Sequence, residues 1–256
     1  MVRLYIWGIT LFFTVSVSAQ PLAVPTYSNL PAVPTPKAKV SSELFTQFVT
    51  IQTATNSANV QQQYLTLQRT TQHLNRKLKK SKSTEQFLKY FFYYIHRKHL
   101  KKYENYATLG DLLGSGKYDC VSGTALYALL LDALHIQFSV REMTYHMYLE
   151  IPLNNGIAII ESTDPLGGFV VGEAAVAKRL AQYQTEEADS TIYPQPIQAK
   201  VGMEELLGLS YFNAAVDCYN RYQFTPARQY LRHAIRWYPA DRMYAFQAIV
   251  EAVAAR

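Results

Sequence analysis

The sequence predicts an α+β protein in which helical segments flank a short run of strands. Apolar residues recur at helical spacing between Val60 and Tyr94, and again after residue 201. Between these regions, three strand-like segments follow one another between Phe138 and Ser162. With 256 residues, of which 49% are hydrophobic and 17% charged, the chain can bury one large core or two small ones.

The first segment, residues 1–19, has the pattern of a signal peptide. Arg3 gives a basic start, an apolar stretch runs from Leu4 to Val15, and Val17-Ser18-Ala19 supplies small residues for cleavage. Cleavage after Ala19 predicts a periplasmic or secreted protein that is not integral to the membrane. An uncleaved anchor is the alternative, although the stretch is shorter than the roughly 20 residues of a membrane span.

Residues 20–40 form a predicted proline-rich tether, and a basic region follows it. The tether contains Pro21, Pro25, Pro31, Pro34 and Pro36. The chain carries a net charge of +6, with much of the excess between Arg76 and Lys102. For an exported chain without a nucleic-acid-binding motif, we expect a solvated face or one that attracts anionic envelope polymers, and no nucleic acid partner.

Two helices are predicted next. An apolar stripe predicts a long first helix, and Ser83 with Gln86 has the spacing of a capping box at the start of the second. The stripe contains Val60, Tyr64, Leu67, Thr71, Leu74 and Leu78, and the second helix carries Phe87, Tyr90, Phe91 and Tyr94 on one face. His96 and His99 lie three residues apart without further ligands in register, so no metal site is predicted.

Cys120 begins a segment that is apolar nearly all round as far as Leu134. Such a helix belongs in the middle of a domain, between a sheet and other helices. Its unpaired amide groups and its dipole would lie at Cys120, and we expect them to lower the pKa of the thiol.

The strand-like segments that follow are Phe138–Met143, Tyr145–Leu153 and Ile157–Ser162, with a hairpin loop before the last. A two-residue loop, Asn155-Gly156, would place Glu150 opposite Glu161, which is a repulsive pair. A three-residue loop would instead pair Leu153 with Ile157 and set His146 opposite Asp164. We therefore predict the three-residue loop.

Cys120, His146 and Asp164 occur in the order of a thiol nucleophile, its general base and the carboxylate that orients the base. The segment from about Leu109 to Phe169 resembles the transglutaminase-like branch of the papain-like cysteine protease superfamily. The resemblance rests on Cys120, on the histidine strand His146-Met147-Tyr148-Leu149-Glu150, and on the segment Glu161-Ser162-Thr163-Asp164-Pro165. Val121 departs from the family, since many relatives carry Trp at that position.

The resemblance implies a central helix packed on an antiparallel sheet, and a Cys-His-Asp triad made of Cys120, His146 and Asp164. It implies thioester chemistry on a protein, peptide or cell-envelope polymer, without a metal or organic cofactor. With water as acceptor the protein is a peptidase or amidase, and with an amine it is a cross-linking acyltransferase. The alternative is a catalytically inactive envelope adaptor. Nothing in the sequence indicates an oligomeric state.

The C-terminal region resembles one tetratricopeptide unit, from Gly208 to Asp241. It has small and large residues at the expected offsets: Ala214, Ala215, Phe224, Ala227, Leu231, Ala234 and Pro239. In this frame Cys218 lies between two helices, as a core residue. The other reading is a disulfide between Cys120 and Cys218, which an oxidising compartment would permit. The predicted division is a transglutaminase-like domain at 41–200 and a helical module at 201–256.

Overall fold

A computed structural model describes residues 42–51, 57–144, 146–188 and 197–254. The predicted signal peptide and tether lie outside these residues. The described chain is a mixed α+β structure with a five-stranded antiparallel sheet, as the sequence predicts at this level. No helix in the described ranges is both long enough and apolar enough to cross a membrane.

Nine helices are found in the described part of the chain. They are α1 (Ser42–Val49), α2 (Ser57–Lys80), α3 (Thr84–Lys98), α4 (Leu109–Ser115), α5 (Cys120–Ala133), α6 (Glu173–Ala188), α7 (Met203–Asn220), α8 (Phe224–Trp237) and α9 (Asp241–Ala254).

Seven strands accompany them within the same ranges. They are β1 (Lys102–Tyr103), β2 (Lys117–Tyr118), β3 (Ser139–Met143), β4 (Met147–Leu153), β5 (Gly156–Ile160), β6 (Phe169–Val171) and β7 (Gln198–Val201). Strands β1 and β2 form a short parallel pair, and the other five form an antiparallel sheet in the order β6-β5-β4-β3-β7.

Helix α5 is the central helix that the sequence predicts. Its apolar residues are buried on all sides, and it belongs to one continuous core with Leu149, Ile151 and Ile160 of the sheet. The hydroxyl of Tyr127, fully buried in α5, donates a 2.9 Å hydrogen bond to the backbone oxygen of Phe92 in α3. The helix is therefore covered by the sheet on one side and by α3 on another.

Helix α6, which the sequence analysis did not anticipate, covers the opposite face of the sheet. There, Val176 and Tyr183 of α6 form a second, smaller cluster with Met143, Tyr148 and Ile159. Side chains of successive strand residues point to opposite faces, so Tyr148 faces α6 while Leu149 faces α5. The sheet thus separates a large core from a small one.

The predicted N-terminal helices are confirmed as α2 and α3. Ser83 is the N-cap of α3, and its hydroxyl accepts a hydrogen bond from the Gln86 amide. The Gln86 side chain accepts from the amide of Lys82 rather than from that of Ser83, so half of the predicted capping box forms.

The predicted hairpin register is wrong. Leu153 pairs with Gly156, so the loop consists of Asn154 and Asn155. It has two residues rather than the predicted three, and it lies one residue earlier than the two-residue alternative. Gly156 has φ of 109° and is the first paired residue of β5. The two asparagines complete the turn, and the glycine's freedom to adopt positive φ is used where the strand begins. Glu150 consequently lies opposite Ile159.

The three C-terminal helices pack against the rest of the molecule. Helices α7 and α8 are neighbours along their length, and buried Ala215 and Ala234 belong to the same core as α5. A Cβ on Gly208 would lie 2.7 Å from the Cβ of Tyr238, so this glycine permits the close approach of α7 to the end of α8. The predicted boundary after residue 200 falls inside β7, and one core extends across it.

Candidate functional site

Cys120 is the first residue of α5, and a polar network fixes this end of the helix. Asp119 is the N-cap, and its Oδ1 accepts hydrogen bonds from the Ser122 amide at 2.7 Å and the Ser122 hydroxyl at 2.9 Å. Its Oδ2 accepts a 2.8 Å bond from the side-chain amide of Asn213 in α7. Asp119 is only 2% exposed, and burial raises its pKa to about 6 despite these bonds.

The chain that leaves β5 contacts the first turn of α5. Ser162 Oγ donates to the backbone oxygen of Cys120 at 3.5 Å. A Cβ on Gly123 would lie 2.6 Å from Ser162 Oγ, so only glycine allows the two segments to approach this closely. The end of the β5 strand is therefore held directly against the helix that carries Cys120.

The pKa of the Cys120 thiol is raised well above its ordinary value. Burial is the largest cause, and the nearby carboxylates of Asp119 and Glu161 disfavour a thiolate further. The backbone amides at the start of α5 act in the opposite direction but do not compensate. The predicted lowering of this pKa is thus wrong for this conformation, since the thiol is 7% exposed and two acidic groups lie near it.

His146 lies between β3 and β4 on the side of the sheet that α6 covers. Its Nδ1 is 3.4 Å from Glu161 Oε1, and its Nε2 contacts Glu186 Oε2 near the end of α6. The His146 ring also lies 4.6 Å from the ring of Tyr183. Burial lowers the pKa of His146, but the bonds to Glu161 and Glu186 outweigh this effect, and the pKa is raised overall.

Glu161 is the centre of this polar cluster. Its carboxylate accepts from the Tyr183 hydroxyl, from Thr163 Oγ1 at 3.0 Å and from Arg179 Nη1 at 3.2 Å. Burial raises the pKa of Glu161, whereas the bonds from His146, Tyr183 and Thr163 lower it more, so the pKa is lowered overall. Glu161 is therefore a buried carboxylate that is stabilised as an anion.

Asp164, the orienting residue in the sequence-based triad, has other partners. Its Oδ1 accepts from the Gly167 amide at 2.8 Å, and its Oδ2 accepts from Arg179 Nη2 at 3.0 Å. The predicted placement of His146 opposite Asp164 does not occur because the β4–β5 register differs by one residue. The structure brings Glu161, rather than Asp164, to the imidazole.

Cys120 and His146 lie at the same end of the sheet but on different faces. Glu161 and Ser162 directly follow β5, and their side chains have partners on opposite sides of the sheet: Glu161 holds His146, and Ser162 contacts Cys120. Within the described residues, no hydrogen bond joins the Cys120 sulfur to the His146 ring, whose nitrogens contact Glu161 and Glu186. Of the three predicted site residues, Cys120 and His146 thus contact the Glu161-Ser162 dipeptide from its two sides, whereas Asp164 has other partners.

The second cysteine is a core residue, as the sequence predicts. Cys218 is 5% exposed among the apolar residues of α7 and its neighbours. Cys120 and Cys218 are not joined by a disulfide bond. The thiol of Cys120 is therefore not blocked by Cys218.

Three residues of the polar cluster were not predicted from the sequence: Arg179, Tyr183 and Glu186, all from α6. Their segment has no motif that would have marked them. Glu161 was visible inside the segment Glu161–Pro165, and the correct hairpin register would have shown that it shares a face with Tyr148 rather than with Leu149. Across the described ranges, no group of three or more His, Cys, Asp or Glu side chains is placed to hold a metal ion.

Comparison with protein-family models, with curated proteins and with solved structures gave no match for this chain.

Proposed function

We propose that this protein is a thiol-dependent acyl-transfer enzyme with a transglutaminase-like core. Cys120 is the nucleophile, His146 is the general base, and Glu161 is the carboxylate that orients the base. The observation that carries the proposal is the Glu161-Ser162 dipeptide, which contacts the imidazole on one side of the sheet and the start of the cysteine helix on the other.

The contact between Glu161 and Nδ1 of His146 suits this role. A carboxylate at Nδ1 favours the tautomer in which Nδ1 carries the proton, and this leaves Nε2 to accept one. The thiol proton of Cys120 would pass to Nε2, and the sulfur would attack an amide carbonyl. Collapse of the adduct forms a thioester, and the departing amine takes the proton from the imidazolium. Water or a second amine then accepts the acyl group and frees the thiol.

Catalysis requires a conformation other than the one described. Glu186 contacts the nitrogen that would receive the thiol proton, and the thiol is buried beside two acidic groups. Glu186 is an exposed residue close to the end of α6, so its contact can break at little cost. Catalysis therefore requires release of Nε2 and a rearrangement that brings the imidazole and the thiol, which lie on different faces of the sheet here, to the same side.

The location, the substrate and the C-terminal helices of the enzyme are part of the same proposal. We propose export by the N-terminal leader, and a protein, peptide or envelope polymer as substrate. Helices α7 and α8 act as a single tetratricopeptide-like unit that packs against the catalytic core, since Asn213 of α7 bonds to the N-cap of the cysteine helix. The chemistry needs neither a metal nor an organic cofactor.

The test measures the rate of alkylation of Cys120 by iodoacetamide between pH 5 and 10. If the protein is the proposed enzyme, Cys120 should be labelled at neutral pH well above the rate of a free thiol, whose pKa is about 8.5. Glu161→Gln and His146→Ala should each remove this excess, whereas Asp164→Asn should keep most of it. Cys218→Ser is the control, because that thiol is in the core.

If Asp164→Asn lowers the labelling rate of Cys120 more than Glu161→Gln does, then Asp164 rather than Glu161 is the carboxylate that orients the base. The rival function, an inactive envelope adaptor, is favoured by the raised pKa of Cys120. It predicts that Cys120 labels more slowly than a free thiol at every pH and that His146→Ala changes nothing. A thioester trapped on Cys120 with an activated acyl donor, and absent in Cys120→Ser, would exclude the adaptor.

A further inference from the structure

The strongest feature outside the site is the segregation of charge into α2 and α3. Residues 57–103 contain eleven basic residues and a single acidic residue, Glu85, giving a net charge of +10, whereas the whole chain carries +6. The remainder of the chain is therefore net acidic. Charge this concentrated repels itself and favours a partner that supplies anions.

These cations are exposed, and within the part of the chain that the structure describes almost all of them lack a counter-ion. All eleven basic side chains of this segment are solvent-exposed. Among the described residues, only Lys102 of the eleven forms a salt bridge, with Glu104. An anionic ligand could thus pair with them without displacing existing ion pairs.

Aromatic rings contact two of these cations, Lys77 and Lys98. Lys77 Nζ of α2 lies 4.5 Å from the centre of the Tyr90 ring, and Lys98 Nζ lies 5.4 Å from that of Tyr94. The two tyrosine rings stack on each other at 5.6 Å, and His73 of α2 stacks on Tyr94 at 4.7 Å. Helices α2 and α3 are thereby joined by a row of rings that carries ordered positive charge.

A shallow depression continues this row along α3. It is lined by Gln86, Lys89, Tyr90, Tyr93 and Arg97, which occupy the side of α3 opposite the buried Phe91. We name the surface formed by Lys77, Lys89, Tyr93, Arg97 and Lys98 the basic face. Since α2 is 24 residues and therefore about 36 Å long, the basic charge along it suits an extended ligand rather than a single ion.

We propose that the basic face binds a linear polyanionic glycan. Lys89 and Arg97 would pair with its acidic groups, Gln86 would hydrogen-bond to hydroxyls, and a sugar ring would lie on exposed Tyr93. Single-stranded nucleic acid is a poorer fit, because it needs successive free aromatic rings and those of Tyr90 and Tyr94 are already stacked. A membrane is a poorer fit too, since the large apolar side chains of α3 point into the core.

The test uses polygalacturonate as the probe and measures binding to the purified protein by calorimetry at two salt concentrations. Lys77→Gln, Lys89→Gln and Arg97→Gln combined should weaken binding about tenfold or more and reduce its salt dependence. The matched control combines Arg228→Gln, Arg232→Gln and Arg236→Gln, which removes the same charge from exposed positions of α8. The control should change the affinity less than twofold.

Tyr93→Ala should weaken binding several-fold at unchanged charge, and neutral dextran should not bind. Equal losses in the two triple variants would overturn the proposal, because binding would then follow net charge alone. Tighter binding to oligo-dT or to anionic vesicles than to polygalacturonate would overturn it too and identify the other partner class. Cys120→Ser should bind normally, so failure of the thiol chemistry and failure of this proposal are distinguishable.

Discussion

The face of the five-stranded sheet that α5 covers is almost entirely apolar, whereas the face that α6 covers carries charged and hydroxyl groups. On the first face, Leu149 and Ile160 are completely buried in hydrocarbon. On the second, Glu161 is buried but forms bonds with His146, Arg179 and Tyr183. Burial at the start of α5 raises the pKa of the Cys120 thiol, and Asp119 and Glu161 add to this effect, whereas the bonds to Glu161 and Glu186 raise the pKa of His146.

Truncation on the apolar face should have the largest effect on stability. Leu149→Ala removes a fully buried side chain between the sheet and α5 and should lower the free energy of unfolding by about 3 kcal/mol. Urea denaturation followed by circular dichroism measures this loss. A change below about 1 kcal/mol would mean that α5 does not depend on this face of the sheet.

The two environments should shift histidine pKa values in opposite directions. Burial beside Tyr127 and Phe92 lowers the pKa of His96 to about 4, whereas Glu161 and Glu186 raise that of His146. NMR titration of the imidazole protons checks both directions. Two titrations near the ordinary value of about 6.5 would show that the surroundings of these two histidines do not shift their pKa values as described.

The His96 shift carries a consequence for stability. The unfolded imidazole binds a proton near pH 6.5 and the folded one only near pH 4, so stability should fall as the pH drops between these values. The loss should approach about 2–3 kcal/mol for His96, and His99 behaves alike. Asp119 opposes it, because its pKa of about 6 lets the folded state bind a proton first. Acid unfolding of His96→Gln should start at lower pH than that of the wild type.

On the polar face, removing one hydrogen-bonding side chain should lower the free energy of unfolding less than truncating a core side chain does. Arg179→Met removes the bonds to Glu161, Asp164 and the Gly167 backbone oxygen, and it should lower the free energy of unfolding by about 2 kcal/mol. Lys178→Met on the exposed side of α6 is the control and should be neutral. If the two variants unfold at the same urea concentration, the cluster adds nothing to stability.

Glu186→Gln should affect the site with almost no effect on global stability. Its side chain is 54% exposed, so the unfolding free energy should change by less than about 0.5 kcal/mol. The pKa of His146 should fall toward its ordinary value because one of two carboxylate partners is removed. The stabilisation that His146 provides below pH 6.5, which disappears as the pH rises through its folded pKa, should shrink accordingly.

Because Glu186→Gln removes the carboxylate that contacts Nε2 of His146, Cys120 should also react faster with iodoacetamide at neutral pH in this variant. Glu187→Gln, the neighbouring acidic residue of α6, is the matched control for charge. An unchanged rate in Glu186→Gln would show that Glu186 does not restrain the base.

Much of the fold could be predicted from local patterns. The stripe from Val60 to Leu78 predicts α2, and the apolar run after Cys120 predicts a buried helix. Both predictions succeed because the spacing of apolar residues along the chain indicates a helix and the side of it that is buried. The partner of His146 could not be predicted in this way. It depends on whether Gly156 lies in the hairpin loop or in the strand, and a shift of one residue changes which side chains share a face.

The sequence by itself determined the mixed helix–sheet class, the central position of α5 and the location of Cys120 at its first turn, since these follow from hydrophobic periodicity and from the apolar run that begins at Cys120. Only the tertiary structure decided that Glu161 holds the imidazole, that Asp164 pairs with Arg179, and that the thiol is buried beside two acidic groups. These contacts join residues from separate elements, and α6 supplies Arg179 from a segment without a recognisable motif. Their geometry depends on strand register and packing, which local sequence preferences do not specify.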